Sequence, residues 1–150
     1  MTCIAYRDGI IAADSLTVIV SKDAEVKVND PAKVAKYKGY LFGMAGNDCP
    51  KMEDFRKWWW PHRNKDKAPP IGKKLRFEAL VVCPDGMIQQ WDHRGVWEHI
   101  REPFWAIGSG AHLAIGAMEA GADAKTACTI AIKRGPGVGG KVYIRKLKGR

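Results

Sequence analysis

Long apolar runs are missing from this 150-residue chain: no stretch approaches the roughly 18 consecutive apolar residues that a membrane-spanning helix requires. The N-terminus offers no apolar segment of the kind a secretory signal needs, because Arg7 and Asp8 arrive at once. Cysteine is sparse. Cys3, Cys49, Cys83 and Cys128 lie far apart, form no Cys-x-x-Cys pair and have no histidine at ligand spacing. That pattern argues against a zinc site or a disulfide framework and reads as cytoplasmic. Acidic residues are in deficit, 16 Asp and Glu against 25 Lys and Arg, which leaves a net charge of +9. The basic residues are scattered, with mild clusters at 33–38, 56–74 and 141–150 and no helix-turn-helix or RNP-like spacing. They read as a solvated basic surface rather than a specific nucleic-acid site. The glycine-rich stretch 135–140 lacks the Gly-Lys-Ser/Thr ending of a phosphate loop. His62, His93, His99 and His112 show no partner spacing, so neither a metal nor a cofactor is expected.

What is present is ordinary globular material, 46% hydrophobic and 27% charged, long enough for one domain over 1–150. Residues 2–7 and 10–13 are short strand-like runs around Asp8-Gly9, a hairpin signal. Residues 34–37 and 40–44 flank Lys38-Gly39 in the same manner. Asn47 or Asp48 then offers an N-cap, with Pro50 in the first turn, for a helix carrying Met52, Phe55 and Trp59. Pro61 ends it. Strands are expected at 77–83, 87–91, 96–100 and 104–107, helices at 111–120 and from the Asp123 cap to Lys133, and a last strand at 141–147. Strand blocks separated by helix blocks suggest stacked sheets with helices segregated outside them. Trp58-Trp59-Trp60 spans several helix faces, so at least one ring is expected to meet another subunit.

Thr2 directly follows the initiator methionine and is small enough to permit its removal. A hydroxyl is a weak nucleophile that needs a neighbouring base, and a free α-amine on the same residue can serve. A two-residue Asp8-Gly9 loop would set Thr2 opposite Ser15; a three-residue loop with Gly9 in a bulge would set it opposite Asp14. The second register clusters hydroxyl, carboxylate and the Lys33 ammonium at one end of a sheet. Cys3 reads as a buried small side chain rather than a nucleophile, and Ser109, between two glycines, as a helix N-cap.

Taken in order, Thr2-Cys-Ile-Ala, Ile-Ile-Ala-Ala-Asp14-Ser15, Lys33-Val34, Phe42-Gly43-Met44-Ala45-Gly46 and Ala106-Ile107-Gly108-Ser109-Gly110 resemble a proteasome β-type subunit. They are especially similar to the HslV branch of the N-terminal nucleophile hydrolases. The resemblance covers most of the chain. It implies an α+β fold, a compact four-layer αββα sandwich, and threonine peptidase chemistry without a cofactor. Thr2 would be the nucleophile and, through its amine once Met1 is gone, the base. Lys33 would tune that pair and Asp14 would hold Lys33. The N–H of Gly46, at a helix start, would face the oxyanion, and Ser109 would hydrogen-bond near the Thr2 amine. Met44 would line the pocket for the residue before the cleaved bond, with Asn47 also binding substrate. Peptide or unfolded-protein substrates, homo-oligomeric stacked rings and an ATPase unfoldase partner are implied as well. A catalytically silent member of the fold, or an amidohydrolase for small amides, are the rival readings. The first hairpin is shorter than is usual in the resembling subunits, and no room is left for their long second helix. Gly135 and Val138 stand where those subunits carry Asp and Ser.

Overall fold

The computed structural model describes residues 2–30, 33–72, 74–136 and 138–148. Met1, on which the processing expectation rests, lies outside them. In chain order the elements are β1 (Ile4–Arg7), β2 (Ile10–Ala13), β3 (Leu16–Val20), β4 (Glu25–Asn29), β5 (Val34–Tyr37), β6 (Tyr40–Asp48), α1 (Met52–Trp59), β7 (Arg76–Val82), β8 (Ile88–Asp92), β9 (Trp97–Ile100), β10 (Phe104–Ile107), α2 (Ala111–Glu119), α3 (Ala124–Arg134) and β11 (Tyr143–Lys146). A 3₁₀ turn, Trp60–His62, follows α1.

Two antiparallel sheets, ordered β10-β1-β2-β11 and β5-β6-β7-β8-β9, stack face to face, and β3-β4 forms a separate hairpin. Strand side chains alternate between layers, as a period of two demands. Ile4, Tyr6, Ile11, Leu41, Leu80 and Val82 fill the space between the sheets. The residues one step away, Cys3, Ala5 and Ala12, meet α2 and α3 through an alanine-rich layer. On the far side Phe42, Met44, Ala79 and Val81 meet α1 through an aromatic layer built on Phe55, Trp59, Phe77 and Trp91. The order of layers is helix, sheet, sheet, helix: a four-layer αββα sandwich.

The β1–β2 hairpin takes the two-residue loop. Asp8 and Gly9 both have positive φ, 50° and 79°, as a tight primed turn requires. Pairing from Arg7↔Ile10 to Ile4↔Ala13 continues to Cys3 opposite Asp14 and so leaves Thr2 level with Ser15. The bulged register that would have faced Thr2 with Asp14 is not adopted.

The expected helix start at 45–48 is also displaced. Strand β6 runs on to Asp48, which pairs with Arg76 beyond an irregularity at 45–48. The helix begins only at Met52, with Lys51 at the N-cap position and no side-chain cap. Cross-strand pairing with β7 outweighs the local capping preference of Asn47 and Asp48, while Glu53 and Asp54 supply the first-turn negative charge. All three tryptophans find partners within the chain. Trp59 is fully buried, Trp58 donates its indole N–H to the Pro69 carbonyl at 2.7 Å, and Trp60 packs edge-on against Tyr37 and Tyr40.

Candidate active site

Thr2 precedes β1 and is 6% exposed. Its carbonyl accepts the Gly110 N–H at 3.2 Å. The strand-to-helix turn after β10 passes so close that a Cβ on Gly108, where φ is +94°, would sit 2.1 Å from that carbonyl oxygen. Only glycine fits there. Ser109, next along the turn, is exposed beside Thr2. It caps nothing, because α2 has Gly110 at its N-cap position with no side-chain cap. Ser109 makes no hydrogen bond to Thr2 among the described residues.

Asp14 is fully buried, and a carboxylate there must be met by donors. Oδ1 accepts the Cys3 N–H at 3.0 Å and Oδ2 the Gly139 N–H at 3.2 Å. The Lys33 ammonium lies 3.2 Å from both oxygens and also donates to the Leu16 carbonyl. The side chain of Lys33 is only 10% exposed, so this ion pair is largely shielded from water and its geometry is fixed by four separate chain segments.

One of those segments is the loop after α3, where Gly135 and Val138 stand in place of the Asp and Ser of the resembling subunits. Gly139 accepts N–H bonds from Ser15 and Leu16, and the Ser15 hydroxyl accepts the Lys141 N–H at 2.8 Å. Gly135 closes α3 by donating to Ala131. Val138 is buried, packed where a Cβ on Gly110 would lie 3.3 Å from it. The backbone of this loop therefore grips Asp14 without a polar side chain from position 135 or 138. The roles of Gly139 and Leu16 have no counterpart in the sequence analysis, because backbone donors and acceptors leave no residue-type signature.

Two clefts meet at Thr2. One, of about 730 Å³, is walled by Asp30, Lys33, Met44, Cys49, Met52 and Glu53. The other, of about 720 Å³, is walled by Phe77, Glu78, Asp92, His93, Arg94 and Ser109. Gly46 and Asn47 belong to both and form the divide between them. Gly46 sits on β6, not at a helix N-terminus as expected, with φ +149° and no room for a Cβ against the Arg76 carbonyl, 2.5 Å away. Its N–H thus has no helix dipole behind it. His93, which shows no partner spacing in the sequence, lines the second cleft from the turn after β8.

Desolvation in the wall of the first cleft pushes the Cys49 thiol up to about 11, against the downward pull of nearby Lys33. Cys3 is fully buried, as expected, and its sulfur lies 3.6 Å from that of Cys128. That contact, followed by burial, drives the Cys128 thiol strongly upward and keeps it protonated. Among the described residues no group of His, Cys, Asp and Glu could hold a metal ion, and no helix is long and apolar enough to cross a membrane.

The fold has counterparts in solved structures. Eukaryotic HslV from Trypanosoma brucei is similar with a TM-score of 0.68 at 14% identity, covering 96% of this chain and 97% of that one. Thiobacillus denitrificans BPH in complex with epoxomicin gives 0.58 at 16% identity, covering 99% of each chain. Thiobacillus denitrificans BPH by itself gives 0.57, also at 16% identity and 99% coverage of both chains. The fold is proteasome- and HslV-like. No family model matches the sequence, nor does any curated protein.

Within that fold the arrangement offers one chemistry readily. A hydroxyl at the meeting point of two open clefts, one of them also lined by a shielded ammonium, is the arrangement an acyl-transfer nucleophile needs. The clefts on either side have room for chain extending in both directions from the attacked bond.

Proposed function

We propose that this chain is a threonine peptidase, with Thr2 as nucleophile once Met1 is removed. The supporting observation is the placement of Thr2 where two clefts meet, next to the buried Lys33–Asp14 pair. In this reading the freed α-amine of Thr2 takes the hydroxyl proton as Oγ1 attacks the peptide carbonyl. The Lys33 cation lowers the pKa of that amine from about 7.7–8.0, raising the fraction able to accept a proton at neutral pH. Asp14 positions Lys33. The Gly46 N–H stabilises the tetrahedral oxyanion. The intermediate expels the amine, which leaves with the proton held by the Thr2 amine, and water then hydrolyses the ester on Oγ1. Met44 lines the pocket for the residue before the cleaved bond, Asn47 also binds substrate, and Ser109, in the same cleft as Thr2, bonds to the amine that removal of Met1 exposes.

The same reading takes peptides or unfolded protein as substrate in the cytoplasm and places the active sites inside homo-oligomeric stacked rings, fed by an ATPase unfoldase. A second reading, a catalytically silent member of the fold, draws on Val138, an apolar side chain buried in the loop that grips Asp14. Labelling with a threonine-directed electrophile separates the two. An adduct mapping to Thr2, absent in Thr2→Ala, supports the peptidase; no adduct on chain shown by intact mass to begin at Thr2 supports the silent reading.

A further inference from the structure

The far end of the β5–β6 hairpin carries a feature the peptidase chemistry does not use. Three cations gather on two aromatic rings there. The Arg63 guanidinium lies 4.0 Å from the centroid of the Trp60 ring, and the Arg56 guanidinium 4.2 Å from that of Tyr37. The Lys38 ammonium lies over both rings, 5.1 Å from the Trp60 centroid and 5.3 Å from that of Tyr37. The rings meet edge to face at 5.3 Å, and Arg63 is tied down by a 2.7 Å hydrogen bond to the Trp60 carbonyl. Among the described residues none of these three cations has a carboxylate within ion-pair distance. The Glu53–Lys57 and Asp92–Arg94 pairs are formed by other residues.

Like charges brought this close repel one another, and an anion set between them relieves the repulsion. Held over the rings, the guanidiniums keep N–H groups, beyond the one Arg63 gives the Trp60 carbonyl, that a planar, two-oxygen acceptor can take. Nucleic acid is the poorer fit. Single strands gain affinity by stacking bases on aromatic faces, and these faces already carry the protein's own cations. Carboxylates need only the guanidinium edges. A chain with net charge +9 would further favour an acidic partner on approach. The patch is separated from Lys33 by the length of β5, roughly 13 Å at the usual rise per residue, so that occupying it leaves the clefts at Thr2 open.

We propose that Lys38, Arg56 and Arg63, mounted on Tyr37 and Trp60, form a docking site for an acidic peptide segment of a partner protein. The test is fluorescence anisotropy with a fluorescein-labelled, Glu-rich peptide, at low and at physiological ionic strength. Arg56→Gln with Arg63→Gln should weaken binding by about tenfold or more. Lys125→Gln with Lys133→Gln, which removes the same charge from exposed positions on α3, should leave it unchanged. Equal loss in both pairs would reduce the effect to net charge and overturn the proposal. So would tighter binding of a single-stranded oligonucleotide of matched charge, or an altered sedimentation of the Arg56/Arg63 variant without peptide, which would assign the patch to contacts between copies. If that variant does not fold, photo-crosslinking of the peptide to the wild-type chain decides: crosslinks at Tyr37, Trp60 or Arg63 support the site, and crosslinks elsewhere refute it. None of these readouts depends on turnover, so a failed peptidase assignment leaves the result interpretable.

Discussion

Removing the Lys33 charge while leaving Asp14 in place tests the buried pair directly. In Lys33→Met the Asp14 carboxylate stays fully buried, keeps the Cys3 and Gly139 N–H donors and loses its only cation among the described residues. Stranding a buried charge costs about 3–5 kcal/mol. For a chain of this length that corresponds to a fall of roughly 6–20 °C in Tm. Asp14→Asn alone is milder. One of the two backbone N–H groups then faces an amide N–H instead of an oxygen, at about 1–3 kcal/mol, while Lys33 retains the Leu16 carbonyl and the cleft. The double variant has neither stranded charge. It should be more stable than Lys33→Met and fall short of the sum of the singles by about 2–3 kcal/mol. Urea denaturation of all four chains measures this, with unchanged m-values certifying that the unfolded states are comparable. Additivity within about 0.5 kcal/mol would refute the coupling and with it the role of Asp14 in holding Lys33.

Three further outcomes are expected. Chain retaining Met1 should hydrolyse peptides at least about 10²-fold more slowly than chain beginning at Thr2, because an amide nitrogen cannot act as general base; single-turnover rates of the two forms check it. Cys49, with its thiol raised to about 11, should react with iodoacetamide near pH 7.5 about two orders of magnitude more slowly than an unperturbed thiol, followed by mass spectrometry. Asp123→Ala should cost about 1 kcal/mol, because its side chain accepts the Thr126 N–H at 2.7 Å and caps α3. That bond holds the Asp123 carboxyl below its ordinary range. The cap's contribution is therefore present above the unfolded pKa, about 3.9, and is lost as pH falls through the lower folded value. The difference in Tm between wild type and Asp123→Ala should accordingly close in acid.

Asp8-Gly9 announced a tight hairpin, and both residues adopt the backbone that such a pair favours. Strand blocks separated by helix blocks made stacked sheets with helices outside them legible, and Asp123 marked a helix start that the structure keeps. Each of these rests on chemistry within a few residues. The misplaced helix start at Asn47 and Asp48 failed because β7, some thirty residues later, supplies a pairing partner that extends β6. Register stayed open in the sequence because both loop lengths suited Asp8-Gly9, and the structure takes the two-residue one. At the candidate site, Thr2, Asp14 and Lys33 were visible as residue types. The grip of Gly139 on Asp14 and the wall containing His93 were not, since one is a backbone contact across 125 positions and the other depends on how a distant turn folds.

The two helix-bearing layers differ in what they are made of, and so in how they would fail. Beneath α2 and α3 the contacts are made by Ala5, Ala12, Ala106, Ala114, Ala127 and Ala131, with Cys3 and Cys128 between them. Apart from Met118 and Val138, the buried side chains of this layer leave little to delete, and enlarging one of the alanines pushes a helix off the sheet that carries Thr2. Under α1 the opposite holds: Phe42, Phe55, Trp59, Phe77 and Trp91 fill their layer with volume, and truncation opens cavities. Random mutation would therefore be purged with opposite bias on the two sides of one molecule. The alanine side tolerates no gain of mass and the aromatic side no loss, and over evolutionary time the small side would keep its composition even as its sequence drifted.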